Sequence, residues 1–459
     1  MRRLLAWFED RTGLVSWTRW ALEHPVPPRT GWWYVFGSAT LIAFLLQVVT
    51  GIALATAYVP SVGQAYDSLQ FISSQALMGR FLRGLHYFGA SAMVLLIGIH
   101  VARTYVMAAY KFPRELNWLS GALLLLLTLA LAFTGQLLRW DQTAVWSVIV
   151  AAAQAGRVPV LGPEIARFIL AGDTVGGTTL SRFFAFHVFF IPALVFLLIG
   201  LHLLLVLRHG ISERPRLGHP VEKATYREEY QEMLRREGVP FWPDAAWRDV
   251  VFGAAVVAVV ALLALAFGPP ELGRPPDPTI LRAYPRPDWY FLWYFAVLAL
   301  TPTHLETLVI VFGPLLFGAI LLLLPLFNTG ERSVRRRPWA WLVVVFIVTT
   351  IGAFWAAGVR APWSPDFDAK PLPASLVHGA DPRVVRGAEL FYQKGCEYCH
   401  ALAGHGGERG PDLTHVAGRM TAEEIGLRIT NGSPNMPAFA QSLTPEELDA
   451  LTAFLSVRR

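Results

Sequence analysis

Cysteine is nearly absent from this chain. There are two in 459 residues, Cys396 and Cys399, and both fall in one five-residue motif. No disulfide framework can be built from them, and no further thiolate is left to hold an iron–sulfur cluster. Charge is scarce as well: 16% of residues are charged against 54% apolar. That balance excludes an ordinary soluble protein of this length and points to a polytopic membrane protein. The net charge of +6 does not indicate nucleic acid, because the basic residues gather in short loops between apolar runs, where they report topology. The N-terminus lacks an uninterrupted apolar stretch, since Glu9, Asp10 and Arg11 break it. It therefore reads as a surface amphipathic helix, with Leu4, Leu5, Trp7 and Phe8 set against Arg2, Arg3 and Arg11, and not as a signal peptide.

What is present is a set of seven apolar runs, each near the roughly 20 residues a helix needs to cross the hydrocarbon. They are expected at 32–58 (span A), 84–107 (B), 118–138 (C), 183–206 (D), 249–267 (E), 304–327 (F) and 339–358 (G). Backbone groups in lipid must be satisfied within the segment, so all seven are expected to be helices. Lys and Arg are dense before span A and in the B–C, D–E and F–G loops. They are sparser in the alternate loops, where Arg282 is one of three in E–F. The N-terminus is thus expected on the cytoplasmic side of a bacterial inner membrane, with everything after span G on the outer side. The stretch APWSPDFDAKPLPASLVHGADP then reads as a semi-stiff linker. Beyond about Arg383 the composition turns polar, giving a tail domain too small to be stable on its core alone.

Two histidine pairs lie inside the apolar runs. His86 and His100 are 14 residues apart in span B, and His187 and His202 are 15 apart in span D. Either step returns to nearly the same helix face about 21–22 Å along the axis. Two such helices facing one another would set four imidazoles at two levels, the geometry for two stacked haems each held by one histidine from each helix. A lone intramembrane histidine is more often a satisfied core residue, but matched pairs on two spans are costly and indicate function. Glycines repeat the spacing: Gly37 and Gly51 on span A, Gly121 and Gly135 on span C, each pair 14 apart. Glycine lets a porphyrin edge or face approach a helix, although small residues also serve helix packing.

The tail carries Cys396-Glu397-Tyr398-Cys399-His400. C-x-x-C-H is the attachment motif of a covalent c-type haem, with the histidine as axial ligand. C-x-x-C alone would also suit zinc or thiol exchange. The stretch Asn431-Gly432-Ser433-Pro434-Asn435-Met436-Pro437-Ala438-Phe439 resembles the distal-ligand loop of class I c-type cytochromes. That resemblance implies Met436 as sixth ligand, with Met420, His405 and His415 as competitors.

Residues 1 to about 215 resemble cytochrome b6 and, less closely, the N-terminal half of cytochrome b of bc1 complexes. The likeness is carried by VPPRTGWWYVFGS, LQVVTGIALATAYVP, FPRELNWLSGALLLLLTLALAFTGQLLRWDQ and GGTTLSRFFAFHVFFIPALVFLLIGLHLLLVLRHGIS. The 15-residue step in span D is of the b6 kind. Residues from about 240 to 358 resemble subunit IV of b6f complexes. The expected division is a surface segment 1–31, a di-haem domain 32–215, a subunit IV-like domain 216–360, a linker 361–382 and a cytochrome c domain 383–459, all α-helical.

The resemblance implies that His86 with His187 hold the haem b near the outer face and His100 with His202 the one near the cytoplasm, both without covalent bonds. Arg83 and Arg103 are expected partners for haem propionates, or else interfacial anchors. Pro287-Asp288-Trp289-Tyr290 matches the family's quinol-oxidation motif, with aspartate where glutamate is usual. In that role Asp288 accepts a proton from quinol, and the shorter side chain leaves room for a water between them. The aspartate form hints at menaquinol. Cytochrome b6 attaches an extra haem through a cysteine in span A; Val35 stands there, so that thioether is absent. The implied function is the cytochrome b/c fusion subunit of a quinol:cytochrome c oxidoreductase. Its implied partners are a Rieske-type iron–sulfur protein, a soluble or membrane cytochrome c or terminal oxidase, and a second copy of the chain. A di-haem anchor of a dehydrogenase and a non-bifurcating conduit are the rival readings. Pro192 in span D is expected to kink the helix and adjust the ligand register.

Overall fold

The computed structural model describes residues 2–277, 286–326, 330–360, 372–373, 376–377, 381–407, 410–433, 436, 438–440 and 442–458. The side chains of Arg2 and Leu5, Arg282, most of the expected linker, and Pro434, Asn435 and Pro437 lie outside the described residues.

All seven apolar runs are long helices: Phe36–Ala55, Gly79–Val106, Glu115–Leu137, Gly177–His209, Phe241–Ala266, His304–Leu326 and Pro338–Arg360. Their faces turned away from the bundle carry Leu204, Leu262, Leu315 and Phe346, all exposed, which is stable only where lipid covers them. Span A packs on span B, span C on span D, and span E lies against both A and B. Ala39, Ala43, Phe44, Met93, Leu96, Ile191 and Val195 form the core where A, B and D meet. The small residues on span A let the helices approach closely.

The loops between spans are more structured than the sequence reading expected. Helices occupy Ala65–Ser74 in the A–B connection, Gln142–Ala155 and Gly162–Leu170 in C–D, Tyr226–Glu237 in D–E and Leu292–Leu300 before span F. They run from 9 to 14 residues, so they fall below the length that marks a span. Three of them pack, through Leu69, Ile72, Val148 and Leu170, into one core with Leu54 of span A, Leu137 of span C and Phe183 of span D. Asp141 starts the first C–D helix by accepting from Ala144 N at 2.8 Å, an N-cap that satisfies one orphan donor. A two-residue antiparallel pairing, Pro25–Val26 with Val239–Pro240, ties the N-terminal segment to the D–E connection.

Span D is not one regular helix. Gly177–Ala185 is α-helical, Phe186–Phe190 is a π turn, and Ile191–His209 is α-helical again. Ile191 N reaches back to Phe186 O across the turn. Pro192, next in sequence, has no N–H to give an i−4 carbonyl, which favours a local i−5 pattern. The expected distortion at Pro192 is thus a π turn, and that turn contains His187.

The tail is a separate helical unit. Pro382–Gln393 crosses Pro445–Ser456 at Gly387, where a Cβ would lie 2.1 Å from Ala450 O. Phe391 and Phe454 meet at 5.7 Å between ring centroids in its core. Capping boxes at Thr421/Glu424 and Thr444/Glu447 start its last two helices.

Candidate redox site

The four membrane histidines converge as two pairs. The His86 and His187 rings are 6.2 Å apart between centroids at an interplanar angle of 77°. An iron bonded at about 2 Å to one nitrogen of each ring would set the centroids roughly 6 Å apart, so the gap fits an axially held haem iron. His100 and His202 form the other level, within electrostatic reach of one another.

Each ring rests on one of the spaced glycines. A Cβ on Gly135 would lie 2.5 Å from His187 Cε1, on Gly37 3.1 Å from His100 Cε1, on Gly51 3.2 Å from His86 Cε1, and on Gly121 3.4 Å from His202 Cε1. The atoms these glycines make room for are therefore the imidazoles, and the two glycine pairs sort by level with the histidines.

Hydroxyl groups beside three of the glycines set the ring orientation. Thr50 Oγ1 lies 2.9 Å from His86 Nδ1, Ser120 Oγ 2.9 Å from His202 Nδ1, and Thr134 Oγ1 3.2 Å from His187 Nδ1. Each hydroxyl already donates its proton to a helix carbonyl: Leu46 O, Asn117 O and Ala130 O respectively. It can therefore only accept from the histidine. The proton is assigned to Nδ1, and the Nε2 lone pair stays free for a metal, the usual outer-sphere arrangement of a ligating histidine. The sequence reading missed these three residues. The signal was there, because a Ser or Thr directly precedes Gly51, Gly121 and Gly135.

The π turn explains the unequal spacings. It adds one residue per turn of helix, so 15 residues in span D cover the length that 14 cover in span B. Both rings of each level then meet.

Arg103 and Arg83 flank span B. The Arg103 guanidinium carbon sits 3.9 Å from the centroid of the Tyr34 ring. Its buried Nε and Nη2 make no hydrogen bond among the described residues. Unspent donors on a buried cation fit a carboxylate such as a haem propionate. Arg83 is buried too and donates to Ser73 Oγ at 2.9 Å. The burial of Arg83 and of these two Arg103 nitrogens counts against simple anchoring at the surface. Val35 is buried and offers no attachment chemistry.

The 287–290 turn packs against span B. Trp289 Nε1 donates to Ser91 Oγ at 3.2 Å, and the Tyr290 phenol donates to Asp288 Oδ2 at 3.0 Å. Burial first, and then the Asp288 carboxylate, push the Tyr290 phenol well above its ordinary range, so it remains a donor. Arg139, from just after span C, comes within 3.9 Å of Asp288 Oδ1. Sequence reasoning missed Arg139 as well, because nothing in its local pattern names a partner some 150 residues on. A second missed carboxylate is Asp249, in the first turn of span E. It accepts from Ser38 Oγ at 2.5 Å, one residue beyond the glycine under His100.

In the tail, Cys396, His400 and Met436 line one cavity, walled by Phe391, Leu413, Ile429 and Leu451. His400 Nδ1 lies 2.8 Å from Pro411 O, which leaves Nε2 free. Met420, His405 and His415 are not among the lining residues. Burial pushes the Cys396 thiol up to about 12, which disfavours the thiolate that thiol exchange needs. Among the described residues no cluster of three His, Cys, Asp or Glu side chains would hold a bare metal ion. A thiol, an imidazole and a thioether lining one cavity fit a haem.

Comparison with known proteins gives the family. The cytochrome b/b6/petB family model matches residues 21–210, and the cytochrome b(C-terminal)/b6/petD model matches 277–366. The cytochrome b of Rhodobacter capsulatus is 31% identical over 374 residues, which is 76% of this chain and 84% of that protein. The chain belongs to the cytochrome b family. This cytochrome b also carries a cytochrome c domain, because the model of cbb3-type cytochrome c oxidase subunit III matches residues 383–455. The cytochrome b subunit of the menaquinol:cytochrome c reductase of Geobacillus thermodenitrificans is 36% identical over 221 residues, 46% of this chain and 98% of that one. A solved chain of a hyperthermophilic respiratory complex III superposes with a TM-score of 0.66 at 27% identity, covering 78% of this chain and 92% of that chain. It is an integral membrane protein whose two kinds of domain imply haem b and haem c.

Proposed function

We propose that this cytochrome b is the b/c fusion subunit of a quinol:cytochrome c oxidoreductase of the complex III kind, divided into domains as the sequence reading placed them. The observation that carries the reading is the pairing of four histidines at two levels, each seated on a glycine and three oriented by a hydroxyl. His86 with His187 and His100 with His202 would hold two haem b groups without covalent bonds. Cys396 and Cys399 would bond one haem c, with His400 and Met436 on its iron. When bound, these groups supply one-electron carriers along and across the membrane.

The residues of the chain do the rest. Pro287, Trp289 and Tyr290 shape the quinol pocket, and Asp288 takes a proton as quinol gives up its electrons. Tyr290 holds the Asp288 carboxylate from one side. Arg103 and Arg83 would meet propionates. Asp249, next to the second level, is placed to give a proton to a quinone reduced on that side. The loop charges favour a cytoplasmic N-terminus and a tail domain on the outer face of a bacterial inner membrane, so the proton taken by Asp288 is released outside. A Rieske-type iron–sulfur protein from another chain, a cytochrome c or terminal oxidase as final acceptor, and a second copy of this chain complete the assembly. Menaquinol is the favoured substrate, in keeping with Asp288 and with the Geobacillus relative's named activity.

A redox-titrated visible spectrum of the purified chain tests this. Two b haems and one c haem per chain are expected. One b haem or none would overturn the reading.

A further inference from the structure

Arg139 stands between two carboxylates that belong to different parts of the chain. Its Nε is 3.8 Å from Asp141 Oδ2 and its Nη1 is 3.9 Å from Asp288 Oδ1. Asp141 is fixed in place. It is buried, and it accepts from Ala144 N at 2.8 Å and Gly273 N at 3.2 Å. Gln142 continues the clamp, taking Asp277 N at 2.6 Å and giving its amide to Asp277 O at 2.8 Å. The segment after span C thus grips the E–F connection at 273–277, and Arg139 extends that grip to the 287–290 turn. The buried Arg139 Nε makes no hydrogen bond among the described residues. At these separations the guanidinium acts on both carboxylates by charge, without the fixed geometry of a hydrogen bond.

We propose that Arg139 is a positioning residue for quinol oxidation: it draws the Asp288 carboxylate toward the pocket while that carboxylate is charged, and lets go when it is not. This rests on the reading of Asp288 as proton acceptor. Aspartate is one methylene shorter than glutamate, so a nearby cation is what directs its reach. The other Asp288 oxygen stays with the Tyr290 phenol at 3.0 Å. Tyr87 of span B also feels the charges of Asp288 and Arg139, and Arg83 those of Arg139 and Asp141. In the step itself a quinol O–H bond breaks and an O–H bond forms on Asp288, whose charge goes from −1 to 0. The other quinol proton leaves to the outer water, and the two electrons would go to the iron–sulfur protein and to a haem held by His86 and His187. A neutral Asp288 no longer attracts Arg139, which keeps Asp141 as its anion. Asp288 is then free to turn and lose its proton to the outer water.

A double-mutant cycle in the assembled complex tests this, with a short-chain quinol as substrate and steady-state kcat and KM as readouts. Arg139→Gln is expected to lower kcat about tenfold with KM within about twofold. Arg139→Lys is expected to recover most of that loss. In an Asp288→Asn background, Arg139→Gln is expected to change the residual rate less than about twofold, because the two act as one unit. Multiplying losses, or no advantage of lysine over glutamine, would overturn the inference while leaving Asp288 in its role. A wild-type rate for Asp288→Asn alone would instead bring down the reading of Asp288, and this inference with it. Should Arg139→Gln fail to retain both b haems, the cycle is run with Arg139→Lys. A partial loss that vanishes in the Asp288→Asn background is then expected, and a loss that persists there counts against the proposal.

Discussion

The imidazole of His187 fills the place where a side chain on Gly135 would begin: a Cβ there would stand 2.5 Å from His187 Cε1 and 3.0 Å from Nε2. No real Cβ sits that close, so any substitution must move the ring.

The four glycines differ in how closely they are approached, and this grades their sensitivity. Gly135→Ala is expected to weaken haem retention at the His86–His187 level by roughly tenfold or more. Gly37→Ala and Gly51→Ala, at 3.1 and 3.2 Å, should cost less, and Gly121→Ala, at 3.4 Å, least. Haem b per chain in the reduced-minus-oxidised spectrum measures the order. Equal losses at all four positions would contradict the ring-seat account.

Pro192→Ala restores an N–H directly after the π turn of span D. A regular α-helix would then turn His187 by about 100° relative to His202. The expected result is an altered spectrum for the His86–His187 haem, with the other level unaffected. An unchanged spectrum for both would mean that packing, and not Pro192, maintains the turn.

Thr50→Val and Thr134→Val remove the acceptors that hold the Nδ1 protons of His86 and His187. Outer-sphere partners of this kind are worth about 10–100-fold in ligand affinity. Faster loss of haem from that level under mild detergent extraction is the expected outcome. Thr50→Ser, which keeps the hydroxyl, should behave nearly as wild type.

Met436→Ala removes the thioether from the tail cavity. The c-haem potential is expected to fall by at least about 60 mV, the one-electron equivalent of a tenfold change. Potentiometric titration of the c band reads this directly, and the same change at Met420 should leave the potential where it was.

Glu397 gives a pH test in the tail. It is 1% exposed, and both of its carboxylate oxygens lack a partner among the described residues. Burial raises its carboxyl from 4.5 to about 7. The folded state then binds the extra proton between those values, so stability declines as pH rises from about 4.5 to about 7. The loss is at most on the order of 3 kcal/mol. Glu397→Gln is expected to flatten that decline, read as thermal melting of the c-haem signal in the full chain across the window.

Much of the plan is written in one dimension. Seven runs long enough to cross a membrane are fixed by composition, because lipid admits only helices whose backbone is satisfied internally. Histidines at 86, 100, 187 and 202, and glycines at matching steps, show a repeat along each helix axis, since a helix face recurs with fixed period. The C-x-x-C-H motif is likewise local, because the thioether attachment proposed for it would need its residues adjacent in sequence. The short helices between the spans were not legible, since neither their length nor their periodicity stands out against a loop.

Other relationships existed only once the helices had packed. The sequence held Thr50, Ser120 and Thr134 beside glycines, but that each accepts from a histidine on another span depends on the distance between two helix surfaces. The 15-residue step could be counted, whereas the π turn that equalises it with 14 is a matter of backbone hydrogen bonding around Pro192. Arg139 meets Asp288, and Ser38 meets Asp249, across separations of 149 and 211 residues. No periodicity connects such pairs. Charge and hydrogen bonding act through space, and only the folded chain sets that distance.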